Sequence, residues 1–147
     1  MLAINPNPLL GPAAVLVLWS LVILLWLVAT RFPAFAKAGV TLSSAPRGSR
    51  YADVEKTLPP GVNWVSHNYT HLMEQPTLFY AVVAILVLAG DTSAVNVGFA
   101  WTYCGLRIVH SLWQILVNTI PVRVLLFTLS SFCLLALAVS AVRETVF

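Results

Sequence analysis

Four runs of apolar residues divide the sequence, and each is long enough to cross a bilayer as a helix. They cover residues 9–30, 64–90, 93–118 and 121–142. A helix of about 20 residues spans the ~30 Å of bilayer hydrocarbon, and a helix satisfies its own backbone hydrogen bonds there. The sequence therefore predicts an all-α integral membrane protein, a bundle of four transmembrane helices in one domain over residues 1–147.

The composition is typical of a chain that lies in a lipid bilayer. Hydrophobic residues make up 59% of the 147 positions and charged residues 9%, whereas a soluble domain carries about 25% charged residues. The net charge of +3 comes largely from one loop and does not indicate nucleic-acid binding. Cys104 and Cys133 fall in apolar runs, where a thiol behaves as a small hydrophobe.

The loop between the first two runs, residues 32–63, sets the expected orientation. Its basic residues, with one at its border, are Arg31, Lys37, Arg47, Arg50 and Lys56. Arg123, at the start of the fourth run, lies on the same side of the membrane. By the positive-inside rule this side is cytoplasmic, and both termini lie outside the cytoplasm.

Ionisable and polar side chains interrupt the second and third runs at helical spacing. The residues that share a face are His67, His71 and Glu74 in the second run, and Arg107, His110 and Gln114 in the third. A charged residue at the centre of a bilayer costs about 2.5–3.5 kcal/mol on insertion scales, so such residues usually face a protein interior and serve a function.

The depths of residues in the second and third runs can be compared, because in antiparallel helices the start of the second run and the end of the third lie on the same side of the membrane. Counting inward at ~1.5 Å per residue puts Glu74 level with Arg107 and His110. We therefore expect a Glu74–Arg107 ion pair with His110 beside it. Pro76 removes the backbone donor to the carbonyl of Leu72, which favours a bend next to Glu74.

Three other interpretations of these residues stay open. Polar side chains in membranes often serve only as hydrogen-bonded contacts between helices. His67 and His71, at positions i and i+4, could chelate a metal ion with Glu74 as the third ligand, although Arg107 nearby would repel a cation. A proton relay through Glu74 is disfavoured, because Arg107 would hold the carboxylate ionised.

Three stretches resemble signatures of the MAPEG family, the membrane-associated proteins in eicosanoid and glutathione metabolism. They are HNYTHLMEQPTLFYAV in the second run, AWTYCGLRIVHSLWQILVN in the third and IPVRVLLF in the fourth. Together they extend over about residues 64–142, and the pattern is similar to that of bacterial-type members.

The resemblance implies a homotrimer in the bacterial inner membrane, with glutathione bound between neighbouring subunits on the cytoplasmic side. It implies a glutathione-dependent transferase or peroxidase that acts on lipophilic electrophiles. Arg123 matches the arginine that stabilises the glutathione thiolate and is the expected catalytic residue. The expected glutathione-binding residues are Arg31, His67, His71, Glu74, Arg107, His110 and Gln114.

Three positions depart from the family pattern and leave a second function open. His67 and His71 stand where animal enzymes have Arg and Asn, and Gln114 stands where the microsomal transferases have Tyr. The alternative is a non-enzymatic accessory or scaffold subunit of a larger membrane assembly, with other membrane subunits as partners.

Overall fold

The structure, a computed structural model, describes residues 6–40, 47–48 and 50–147. Its helices are α1 (Leu10–Lys37), α2 (Tyr51–Val54), α3 (Pro60–Leu88), α4 (Ala94–Leu116) and α5 (Ile120–Val146), with a 3₁₀ turn at Glu55–Thr57. Helices α3 and α4 each contact the three other long helices. The polar side chains on the covered faces of α3 and α4 therefore lie at the centre of the bundle.

Within the described residues, α1, α3 and α5 are long and apolar enough to cross a membrane. This confirms an all-helical protein with three candidate membrane spans. Helix α4 does not reach the same apolar character, because its buried face carries polar side chains, among them Asn96, Arg107 and Gln114. A fourth span stays a prediction.

The connection between α1 and α3 is shorter than the expected loop of residues 32–63. Helix α1 continues through Pro33 to Lys37, and Gly39, two residues later, has a φ of +69° that is readily adopted only by glycine. The N–H groups of Gly39 and Val40 donate to the carbonyls of Ala36 and Phe35 and so close a Schellman cap. Residues 41–46 and 49 of this loop lie outside the described part of the chain.

Helix α3 begins four residues earlier than the sequence suggested, at a pair of prolines. Pro60 occupies the first helical position, where its missing N–H costs nothing. Pro59 before it is extended, as expected for a residue that precedes proline. The helix then runs without interruption past Pro76, so this proline does not end it.

Aromatic and aliphatic side chains from all four long helices form the core. The rings of Phe79 on α3 and Tyr103 on α4 stack with centroids 4.4 Å apart, and Leu16 of α1 and Leu137 of α5 pack in the same cluster. Apolar side chains on the outer faces stay uncovered, for example Leu25 at 69% exposure. Exposed apolar side chains on the outer faces are typical of a helix bundle that is surrounded by lipid.

Polar side chains connect the helices in pairs. Asn68 Nδ2 of α3 donates to Ser111 Oγ of α4 at 2.7 Å. Gln75 Nε2 of α3 donates to Ser131 Oγ of α5, also at 2.7 Å. For these residues the interpretation as contacts between helices is sufficient.

Candidate functional site

A cavity of about 350 Å³ lies between α3, α4 and α5, near the end where α4 passes into α5. Its walls are formed by His71, His110, Ile120, Arg123, Val124 and Phe127. Three of the residues predicted from the sequence, His71, His110 and Arg123, are thus brought together. The volume is at the lower end of the range for small-molecule sites.

Arg123 lies in the first turn of α5 and is partly buried. Its Nη1 donates to Asn118 Oδ1 at 2.9 Å. Asn118 has a φ of +59°, a left-handed conformation that asparagine tolerates better than most residues. One nitrogen of the guanidinium is therefore held by Asn118, and the buried Nε–H has no partner among the described residues.

Three rings form one wall of the cavity. His71 and His110 stack with centroids 4.9 Å apart at an interplanar angle of 29°. Phe127 tilts against His71 with a centroid distance of 5.4 Å. The contact joins α3, α4 and α5 and fixes the position of the His71 ring.

Arg107 lies directly behind this wall and is 0% exposed. Its Nη2 donates to the backbone carbonyl of His71 at 2.8 Å and lies 3.4 Å from His71 Nδ1. Its Cζ is 6.0 Å from the centroid of the Phe127 ring. The Nε and Nη1 of Arg107 have no partner among the described residues.

The expected Glu74–Arg107 ion pair is not formed, and this prediction was wrong. Arg107 points instead at the backbone of His71, one turn nearer the start of α3. Glu74 is on the uncovered side of α3, close enough only for its charge to act on Arg107 at longer range. Glu55 Oε1 of the 3₁₀ turn, rather than Glu74, lies within hydrogen-bond distance of a histidine of α3, at 2.5 Å from His67 Nε2.

The other predicted residues do not line the cavity. His67 is exposed and tethers the 3₁₀ turn through Glu55. Arg31 Nη2 donates to Ser66 Oγ and connects α1 to α3. Gln114 is 2% exposed, and its Oε1 has no partner in the described part of the chain. Glutathione binding by these residues stays a prediction.

The metal interpretation finds no matching geometry. In residues 6–40, 47–48 and 50–147 no group of three or more His, Cys, Asp or Glu residues is arranged to hold an ion. The two histidines at i and i+4 face different partners, since His67 contacts Glu55 and His71 contacts Arg107.

The apolar half of the cavity was not among the residues singled out from the sequence. Val124 and Phe127 follow Arg123 by one and four positions, so Phe127 lies on the same face of α5, one turn further along. That spacing was the available signal. Phe127 looked like any other aromatic residue in an apolar run.

One protein-family model matches nearly the whole chain. Neither a search of curated proteins nor a search of solved structures found a match. The model of the MAPEG family matches residues 9–143, a range that begins beside the start of α1 and ends near the end of α5. The chain therefore belongs to the MAPEG family.

Proposed function

We propose that this protein is a membrane-bound, glutathione-dependent transferase or peroxidase that acts on lipophilic electrophiles. The observation that carries the proposal is Arg123, whose guanidinium lies at the wall of the cavity beside His71 and His110. Family membership supports it, because glutathione-dependent chemistry is typical of the family.

Arg123 has the properties required to activate a thiol. The thiolate of glutathione is the nucleophile, and a neighbouring positive charge lowers the pKa of a thiol. An arginine side chain stays protonated and only donates hydrogen bonds, so it stabilises the thiolate but cannot take up its proton. That proton leaves to solvent. The sulfur then forms a bond to the electrophilic carbon, and the leaving group departs with its electron pair.

The second substrate would meet the apolar wall. Ile120 and Val124 border the cavity and are 70% and 57% exposed, on a surface that faces lipid in our proposal. Phe127 lies deeper, against His71. A lipophilic molecule dissolved in the bilayer can therefore approach the thiolate without crossing water.

We further propose that copies of the chain cover the Glu74 face in a homotrimer. Glu74 lies midway along a membrane-spanning helix and is exposed in the single chain. A carboxylate in hydrocarbon costs about 2.5–3.5 kcal/mol on insertion scales. A neighbouring copy that brings polar groups to this face removes the cost. Glu74 then contributes to the boundary between subunits, where the resemblance implies that glutathione binds.

The topology in our proposal includes α4 as a fourth span. At ~1.5 Å per residue its 23 residues measure about 35 Å, enough to cross the hydrocarbon. Its polar side chains are covered by α3 and α5 rather than by lipid. The cavity then lies on the cytoplasmic side with the basic loop, both termini lie outside, and the membrane is the bacterial inner membrane.

The test compares charge removal at two positions of α5. Arg123→Gln should reduce turnover of glutathione with a model electrophile by more than tenfold, while Arg123→Lys, which keeps the charge, should retain part of it. Arg143→Gln removes a charge from the other end of the same helix and should leave turnover unchanged.

Full turnover in the Arg123→Gln variant would overturn the assignment of this residue. A wild-type protein that neither binds nor turns over glutathione, but copurifies with other membrane subunits, would instead support the scaffold function.

A further inference from the structure

The two ring nitrogens of His71 lie in different surroundings. Nδ1 faces the buried guanidinium of Arg107 at 3.4 Å, while the ring itself is part of the cavity wall. No described residue forms a hydrogen bond with Nε2. The proton on this imidazole therefore matters for what the cavity offers to a ligand.

Arg107 decides which nitrogen carries the proton. A guanidinium has five N–H donors and no acceptor. Its Nη2 carries two hydrogens, of which one is used by the His71 carbonyl at 2.8 Å and the other points toward Nδ1. A proton on Nδ1 would put two donors against each other beside a buried positive charge. Nδ1 must therefore accept, and the proton of the neutral ring is on Nε2.

We propose that Arg107 is a positioning residue that holds His71 in the neutral tautomer with its proton on Nε2, so that the cavity wall presents an N–H donor to the ligand. The stack with His110 and the tilted contact with Phe127 hold the plane of the ring, and the contact of Nδ1 with Arg107 sets which ring nitrogen faces the guanidinium. The tautomer follows from the contacts alone, whereas the identity of the ligand rests on the proposed function.

In this state two side chains on the cavity wall can donate to a ligand. Arg123 contributes its guanidinium, which only donates hydrogen bonds, and His71 adds the N–H of Nε2. This pair of residues is therefore complementary to an anionic acceptor, such as a thiolate or a carboxylate. Specificity for an acidic thiol peptide would then depend on a residue pair, Arg107 and His71, of which only His71 touches the cavity.

The first experiment reads the tautomer directly. The chain has three histidines, so ¹⁵N spectra of histidine-labelled protein in bilayers contain three ring systems, and His71 is assigned by its loss in the His71→Gln variant. The proposal predicts a protonated Nε2 and an unprotonated Nδ1 for His71 in the wild-type protein without any ligand. A protonated Nδ1 would overturn it. In Arg107→Gln a mixture of tautomers is expected, and in Arg107→Lys the wild-type pattern.

The second experiment measures the consequence for the KM of glutathione. Gln places an amide N–H where Nε2 lies, so His71→Gln should change KM by less than about threefold. His71→Met has similar bulk without the donor and should raise KM about tenfold with little change in kcat, in keeping with one lost hydrogen bond to a charged group. Equal KM values for the two variants would contradict the donor role. Because the spectra need no glutathione, failure of this inference is distinguishable from failure of the proposed function.

Discussion

The hydrogen bond between Asn68 and Ser111 allows a prediction in which two single substitutions have unequal costs. Asn68 is 0% exposed, its Nδ2 donates to Ser111 Oγ, and its Oδ1 has no partner among the described residues. Ser111→Ala removes the one acceptor and leaves the whole amide unpaired. An unsatisfied buried polar group costs about 1–3 kcal/mol, and hydrogen bonds between membrane helices contribute at most about 1.7 kcal/mol. We therefore expect a loss of about 1–2 kcal/mol in the free energy of unfolding.

Asn68→Ala should cost less, under about 1 kcal/mol, because the Ser111 hydroxyl can turn to a backbone carbonyl one turn earlier in α4. The double variant contains neither polar group and should be at least as stable as Ser111→Ala alone. The assay is reversible unfolding in mixed micelles with increasing SDS, and the four proteins form a double-mutant cycle. A double variant that loses the sum of the two single costs would refute the reasoning, since that result means that the amide is satisfied elsewhere.

Three further predictions concern a turn, the anchor of the arginine and the subunit boundary. Gly90 follows the end of α3 with a φ of +80°, so Gly90→Ala should lower the free energy of unfolding by about 1–2 kcal/mol in the same assay. Gly61→Ala, inside α3 with open space around an added Cβ, should leave the free energy of unfolding unchanged. Equal effects of the two substitutions would contradict this. Asn118→Gly keeps the backbone conformation but removes the contact to Arg123, so turnover should fall several-fold at unchanged stability, and wild-type turnover would show that the contact is dispensable. Glu74→Leu should shift cross-linked protein from trimer toward monomer, since the monomer no longer exposes a carboxylate to lipid; an undiminished trimer would count against the subunit boundary.

The helices themselves were predictable from the sequence, and their ends were less so. Long apolar runs can only be helices in lipid, and this identified every long helix of the described bundle. The extension of α1 past Pro33 was not predictable, because a proline usually marks a boundary and the cap that ends the helix is formed four to seven residues later. Helix α3 began early because Pro59 and Pro60 form a start signal that resembles a loop.

The depth of Arg107 was predictable to within one helical turn, and its partner was not. Counting residues placed Arg107 level with Glu74, and the structure has its contact at His71, one turn nearer the start of α3. These two residues of α3 are three positions apart and differ by about 60° around the helix. In a soluble protein an apolar stripe would show which side faces inward. In a membrane the lipid is as apolar as the core, so α3 has no such stripe and the sequence does not fix its rotation.

The measurement that tests the central claim most directly is a calorimetric titration of the detergent-purified protein with glutathione at pH 7, repeated in buffers with different heats of ionisation. A free thiol of pKa about 8.5 is mostly protonated at this pH. If Arg123 holds glutathione as the thiolate, binding is saturable and releases close to one proton per bound glutathione, and the release disappears in Arg123→Gln. Saturable binding without proton release in the wild-type protein, or no binding, would contradict the account.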